Sequence, residues 1–220
     1  MNCAVSEWTA WLQGKLAMIF SWPPTGRISE NYSQRAKAIN FIPKSQIVGK
    51  VGYALMPNKH GEHASGYVKS LTTDSKNKDA AYLFMQWATS PQISLLRVTL
   101  PYALRDPYRI SHYKSKKYRS LWPTAKDYLI NLNNAANDAV IDMIMPGWQD
   151  YALSLDRMCT SVWSGTDPKK ALAKAEDEWN TTTKKLGVDK QRAAYQQFLK
   201  LPGATAANTI AARGQAVHLT

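Results

Sequence analysis

The chain has 220 residues, 45% hydrophobic and 20% charged, and carries a formal net charge of +12. That is enough length for a sizeable core in one or two domains. No apolar run reaches the roughly 18 residues that cross a bilayer: the longest, Ala139 to Trp148, is broken by Asp142 and Pro146, so the chain is not expected to be transmembrane. Two cysteines, Cys3 and Cys159, exclude a disulfide framework and are too few for a thiolate zinc site.

The N-terminal MNCAVSEWTAW lacks the basic and apolar regions of a signal peptide, so none is expected in this chain. SEWTAWLQ, residues 6–13, spaces Trp8, Trp11 and Leu12 as one face of a helix. The apolar run 16–20 reads as a strand stopped by Pro23 and Pro24, with Trp22 at its lip. Residues 23–45 are polar and irregular, with a possible short helix in SENYSQRAKAI. Strands are expected over 50–57, ended by Pro57, and over 67–73.

Ser75 or Asn77 then caps a helix whose Ala80, Ala81, Phe84, Trp87 and Ala88 repeat at helical spacing. Pro91 opens the next helix, and LPYALRDPYR is loop. Residues 124–138 read as helix, 140–148 as extended, and 149–165 as a long helix with Tyr151, Leu155, Met158 and Val162 on one side. Asp167, Pro168 and Gly187 bound a further helix, with Gly187 expected in the left-handed region and Ala171, Leu172, Ala175 and Trp179 as its buried stripe. A last helix covers 189–200, and 203–220 reads as a loose tail. No internal repeat appears.

Catalytic signatures are missing: there is no GxSxG elbow, Walker loop, GxGxxG or HExxH. Asp142 and Asp150 are a weak carboxylate pair, and Glu176, Asp177 and Glu178 read as a solvated face. His60 and His63 read as loop residues rather than metal ligands. The chain is therefore expected to be no enzyme and to need no metal or cofactor. The basic stretch 105–120, RDPYRISHYKSKKYRS, interleaves Tyr108, Tyr113 and Tyr118 with its cations. A nucleic-acid-binding module built on it is the alternative function, but no recognition motif accompanies it and a solvated basic face is the preferred reading, with no nucleic-acid partner.

Aromatics at element ends beside turn residues are the more distinctive pattern: Trp22 before Pro23, Tyr67 after Gly66, Trp148 after Pro146-Gly147, and Tyr151 one turn later. An aromatic at the mouth of a pocket offers its face to the C–H side of a sugar ring. Core packing is the plain alternative for each.

The ordered motifs WLQGKLAMIFSW, SGYVKSLTTDSKNKDAAYLFMQWATSPQ, LPYALRD and SGTDPKKALAKAEDEWN resemble the family 1 extracellular solute-binding proteins, best those serving carbohydrate ABC importers, over about residues 7–186. The resemblance implies an α/β, periplasmic-binding-protein-like fold of two lobes that close on ligand by hinge motion. The chain then corresponds to an incomplete, helix-rich C-terminal half of such a protein. It assigns 1–66 and 139–200 to the C-terminal lobe, 67–138 to the returning part of the N-terminal lobe, and 201–220 to a tail.

It further implies a sugar or oligosaccharide ligand, delivery to permease subunits, a periplasmic or extracellular location, and a monomer when full length. Trp22 carries over as the sugar-stacking residue, Ser65, Gly66 and Tyr67 as a ligand-facing turn, Arg105 as the loop arginine, and Trp148 and Tyr151 as the second aromatic position. Ser65-Gly66 departs from the family's usual Gly-Gly.

Overall fold

A computed structural model describes residues 3–32, 41–57, 63–64, 66, 68–101 and 103–219. In chain order the main elements are α1 (Cys3–Leu12), α2 (Thr25–Ser29), β1 (His63–Ala64), α3 (Lys78–Thr89), α4 (Pro91–Thr99), α5 (Ile110–Tyr113), α6 (Lys116–Arg119), α7 (Ala125–Asp138), β2 (Val140–Ile141), α8 (Trp148–Trp163), α9 (Pro168–Leu186) and α10 (Val188–Phe198). The chain divides into two compact units: Met1–Lys59, Gly66–Asn137 and Val217–Thr220 form the first, His60–Ser65 and Asp138–Ala216 the second.

Two apolar clusters organise the first unit. On α1, Trp8 and Leu12 lie one turn apart and pack with Ile28 and Ile42. The second cluster is aromatic, with Tyr32, Tyr118, Trp122 and Tyr128 around Val98, Ala125 and Leu129. Trp122 meets Tyr118 and Tyr128 edge-on, at centroid distances of 6.0 and 5.4 Å, geometries worth about 0.5–1.5 kcal/mol each beyond area burial. α2 approaches this cluster closely. A Cβ on Gly26 would stand 2.6 Å from Tyr128 Cδ2, so no larger residue fits without displacing the ring.

The described residues are helix-rich, as expected of this portion of the fold, and hold almost no strand. Among the described residues the only sheet is the parallel pairing of β1 with β2, His63 opposite Val140 and Ala64 opposite Ile141. The stretches expected as strands, 16–20, 50–57 and 67–73, form no ladder where they are described. The reason is nonlocal: a strand exists only against a neighbour's backbone, and residues 16–21, 51–56 and 68–71 make no backbone–backbone hydrogen bond with other described residues. Their apolar side chains are left outside, Met18 at 86%, Phe20 at 66% and Val68 at 93% exposure.

Helix α3 forms where expected, although Asn77 makes no side-chain cap bond. Its stripe is not buried: Ala88 is enclosed, but Phe84 and Trp87 are exposed, as are Tyr82 and Leu83 on the same helix. Lys69 Nζ lies 5.3 Å above the Phe84 ring and covers part of it.

In the second unit α8 and α9 form a hairpin. Asp167 accepts the Lys170 N–H at 3.1 Å and Pro168 occupies the first turn of α9, as the sequence indicates. Gly187 ends α9 at φ +91°, but with ψ 117° it lies outside the left-handed helical region. Ala171 and Ala175 are buried while Leu172, expected beside them, is exposed. Tyr151 Oη bonds Thr183 Oγ1 at 2.9 Å, and the Trp179 indole donates to the Tyr151 carbonyl at 3.1 Å. Residues 203–219 carry specific bonds: Ile141 N–H donates to Gly203 O, and Asn137 brackets the Val217 backbone. No helix among the described residues is long and apolar enough to cross a membrane.

So much uncovered apolar surface on one unit is a docking or aggregation liability. At micromolar concentration the chain is expected to self-associate in sedimentation, and replacing Phe20 and Trp87 together by Ser to reduce it. A monodisperse monomer at all concentrations contradicts this.

Candidate ligand-binding residues

Trp22 lies in an irregular stretch rather than at a strand end. Its ring is 43% exposed, its indole N–H donates to Asp106 Oδ2 at 3.0 Å, and it stacks on Trp8 at 6.5 Å with planes 17° apart. Trp8 is itself fixed through its indole bond to Ser21 Oγ at 3.1 Å. The result is a partly open aromatic surface with a pinned orientation.

The Asp106 loop is positioned by Arg27, a fully buried residue. Its Nη1 donates to the carbonyls of Val98 and Ala103 at 3.1 and 2.6 Å, and its Nη2 to the Arg105 carbonyl and Tyr118 Oη at 2.9 and 2.6 Å. Burial raises the Asp106 carboxyl above its ordinary pKa, opposed by the Trp22 hydrogen bond and the Arg27 charge. Burial likewise pushes Tyr118 up to about 12, against the lowering pull of Arg27.

Arg105, next to Asp106, has an exposed side chain, and Gly66 is exposed with open space around it. Ser65 and Tyr67 lie outside the described residues. In the second unit Trp148 is half-buried at the start of α8, whereas Tyr151 is buried in the α8–α9 contact, 3% exposed. Trp22, Asp106 and Arg105 are thus neighbours in the first unit, and Trp148 and Tyr151 share one turn in the second.

The basic stretch does not form an aromatic stacking surface. Tyr118 points into the core, Tyr113 Oη donates to the Pro107 carbonyl at 2.9 Å, and of the three tyrosines only Tyr108 is exposed. His112, also buried, resembles half of a serine–histidine pair, with Nε2 2.9 Å from Ser94 Oγ. The Tyr108 N–H points at Nδ1 from 3.4 Å and Ser94 Oγ donates to the Pro91 carbonyl, so Nε2 carries the proton and donates to Ser94. In that tautomer the imidazole cannot take a proton from the hydroxyl.

Asp142 pairs with His63 at 2.8 Å rather than with Asp150. Among the described residues no group of three His, Cys, Asp or Glu side chains could hold a metal ion.

The sequence gives no local sign of Arg27 or Asp106 as organising residues. Arg27 lies in TGRIS, which reads as polar turn, and its partners come from residues 98–118.

Residues 7–93, less than half of the chain, match the family model of bacterial extracellular solute-binding proteins. Over those residues the chain is similar to that family. No curated protein and no solved structure matches the chain.

Two outcomes follow from the geometry. Arg27→Met removes the donor from three carbonyls and a tyrosine hydroxyl; the Val98 and Ala103 bonds are buried, and each such acceptor left unpaired costs about 1–3 kcal/mol. The variant should lose at least ~3 kcal/mol in urea unfolding, and Arg27→Lys a smaller amount; a loss under ~1 kcal/mol for Arg27→Met contradicts the role given to it.

Burial, then the Arg109 charge, lowers His112 to about 4, against about 6.5 in the unfolded chain. The unfolded state binds more protons between these values, so His112 costs stability as pH falls from 6.5 towards 4, about 3 kcal/mol in all. Comparing urea midpoints at pH 7 and 4.5 should show a smaller acid loss for His112→Gln than for the parent chain. Equal losses rule the contribution out.

Proposed function

We propose that the chain acts as the substrate-binding component of an ABC importer, taking a sugar or oligosaccharide in an interlobe cleft and delivering it to permease subunits. The match of residues 7–93 to the extracellular solute-binding family carries this reading. The role is capture and release, with no bond made or broken. The lobe assignments and the correspondence to a family C-terminal half are part of the same proposal.

Within the matched stretch Trp22 supports a sugar as the ligand class. Its orientation is set by Trp8 and Asp106, so stacking on a sugar ring costs little further ordering. Arg105, on an adjacent exposed position, is proposed to bond ligand hydroxyls, with Ser65, Gly66 and Tyr67 as a contacting turn and Trp148 as a second aromatic. Tyr151 is left out of this set because its ring and hydroxyl are already used inside the second unit.

The test is calorimetric titration of a panel of mono- and oligosaccharides against the chain. A saturable ligand should be found, with Trp22→Ala weakening it at least about tenfold, or ~1.4 kcal/mol, and Trp22→Phe far less. Unchanged affinity in Trp22→Ala removes Trp22 from the site, and no saturable sugar in the panel removes the sugar.

A further inference from the structure

The α8–α9 hairpin holds a cleft of about 250 Å³ with a markedly cationic lining. Arg157 enters it from α8, and Lys170 and Lys174 from consecutive turns of α9. Like charges four residues apart on a helix repel one another, and here a third cation faces them. The carboxylate among the lining residues is Glu178. It pairs with Arg157 Nη2 at 2.5 Å, and the Arg157 bond is the largest influence holding it below the ordinary carboxylate range, with Lys174 adding to the effect.

Arg157, Lys170 and Lys174 therefore outnumber the one acid by two charges. Asp167, the nearby acid at the α9 N-terminus, is engaged with the Lys170 N–H.

Hydroxyls complete the lining. Ser161 and Thr166 stand at the turn end of the cleft. Ser154, 2% exposed, lies close enough to Glu178 to help hold its carboxyl down, yet its Oγ makes no hydrogen bond of full geometry. Ala171 and Ala175 form the floor, and their small side chains leave the room that longer ones would fill. The Ser161 hydroxyl already donates to the Met158 carbonyl, so the donors left to recognise a tetrahedral oxyanion are a guanidinium fork and two ammonium groups around one small volume.

We propose that the α8–α9 cleft binds a phosphate group, through Arg157, Lys170 and Lys174. This site is in the second unit and does not depend on the sugar reading. The phosphate group has two chemical sources, free phosphate and a phospholipid headgroup, which a two-armed experiment separates. In the first arm inorganic phosphate is titrated against the whole chain at constant ionic strength, with chloride as the balancing salt. In the second the chain is sedimented with vesicles of phosphatidylcholine with and without phosphatidylglycerol.

Lys170→Gln/Lys174→Gln should weaken binding at least tenfold. Lys184→Gln/Lys185→Gln removes the same charge from exposed positions at the far end of α9 and should leave binding within twofold. Saturable binding of phosphate with this pattern supports the proposal with free phosphate as the ligand; binding of the phosphatidylglycerol vesicles alone, with the same pattern, supports it with the headgroup. Binding to neither overturns it. Equal losses in the two double variants also overturn it, because they mark a diffuse response to net charge.

Discussion

The first unit depends on one buried guanidinium. Removing Arg27 from water carries a large desolvation cost, so its neighbourhood must supply hydrogen bonds in return. It does so with three carbonyls and a tyrosine hydroxyl drawn from residues 98–118, far along the chain from α2. A lysine offers one compact charge at that point, while the planar fork of arginine reaches several acceptors at once. The loop between α4 and α5 therefore has its shape set from outside itself. Gly26 contributes by letting α2 lie directly against Tyr128.

That constraint reaches the surface through Asp106. The loop held by Arg27 presents the carboxylate that receives the Trp22 indole, and the positive charge nearby offsets the burial that raises the Asp106 pKa. Polar interior, loop and exposed ring form one chain of contacts. The buried His112 with Ser94 fixes the neighbouring turn by the same logic, as a neutral hydrogen-bonded group. Its tautomer makes it a structural residue despite a partner that elsewhere suggests catalysis.

Local signals in the sequence located most of the helices. Pro91 opens α4, Asp167 and Pro168 open α9, and the spacing of Trp8 and Leu12 marks the buried face of α1. Each of these depends on neighbours within a turn or two. The strands were not legible, because apolar alternation shows that a segment suits a sheet and says nothing of whether another backbone lies beside it. The same gap explains α3, whose periodic Phe84 and Trp87 match a buried stripe but face no covering layer. Arg27 and Asp106 escaped for a related reason: a buried polar network is defined by partners some 70 to 90 residues away. Trp22 was identified as a candidate from its place beside Pro23, but what holds it was not.

Among the described residues no ladder forms around 16–21, which changes how Trp22 must be understood. At the end of a paired strand, an aromatic is aimed by the sheet, and its direction survives the loss of any one side-chain contact. Here the preceding backbone makes no such bonds with other described residues, and the ring is held by Trp8 on one side and Asp106 on the other. Both supports are themselves secured at a distance, Trp8 through its cluster with Leu12 and Ile28, and Asp106 through Arg27. A ligand stacking on Trp22 would therefore be read by a surface whose geometry is decided in the core beneath it. Changes to that core, even ones that touch no ligand, would alter the orientation of the exposed ring.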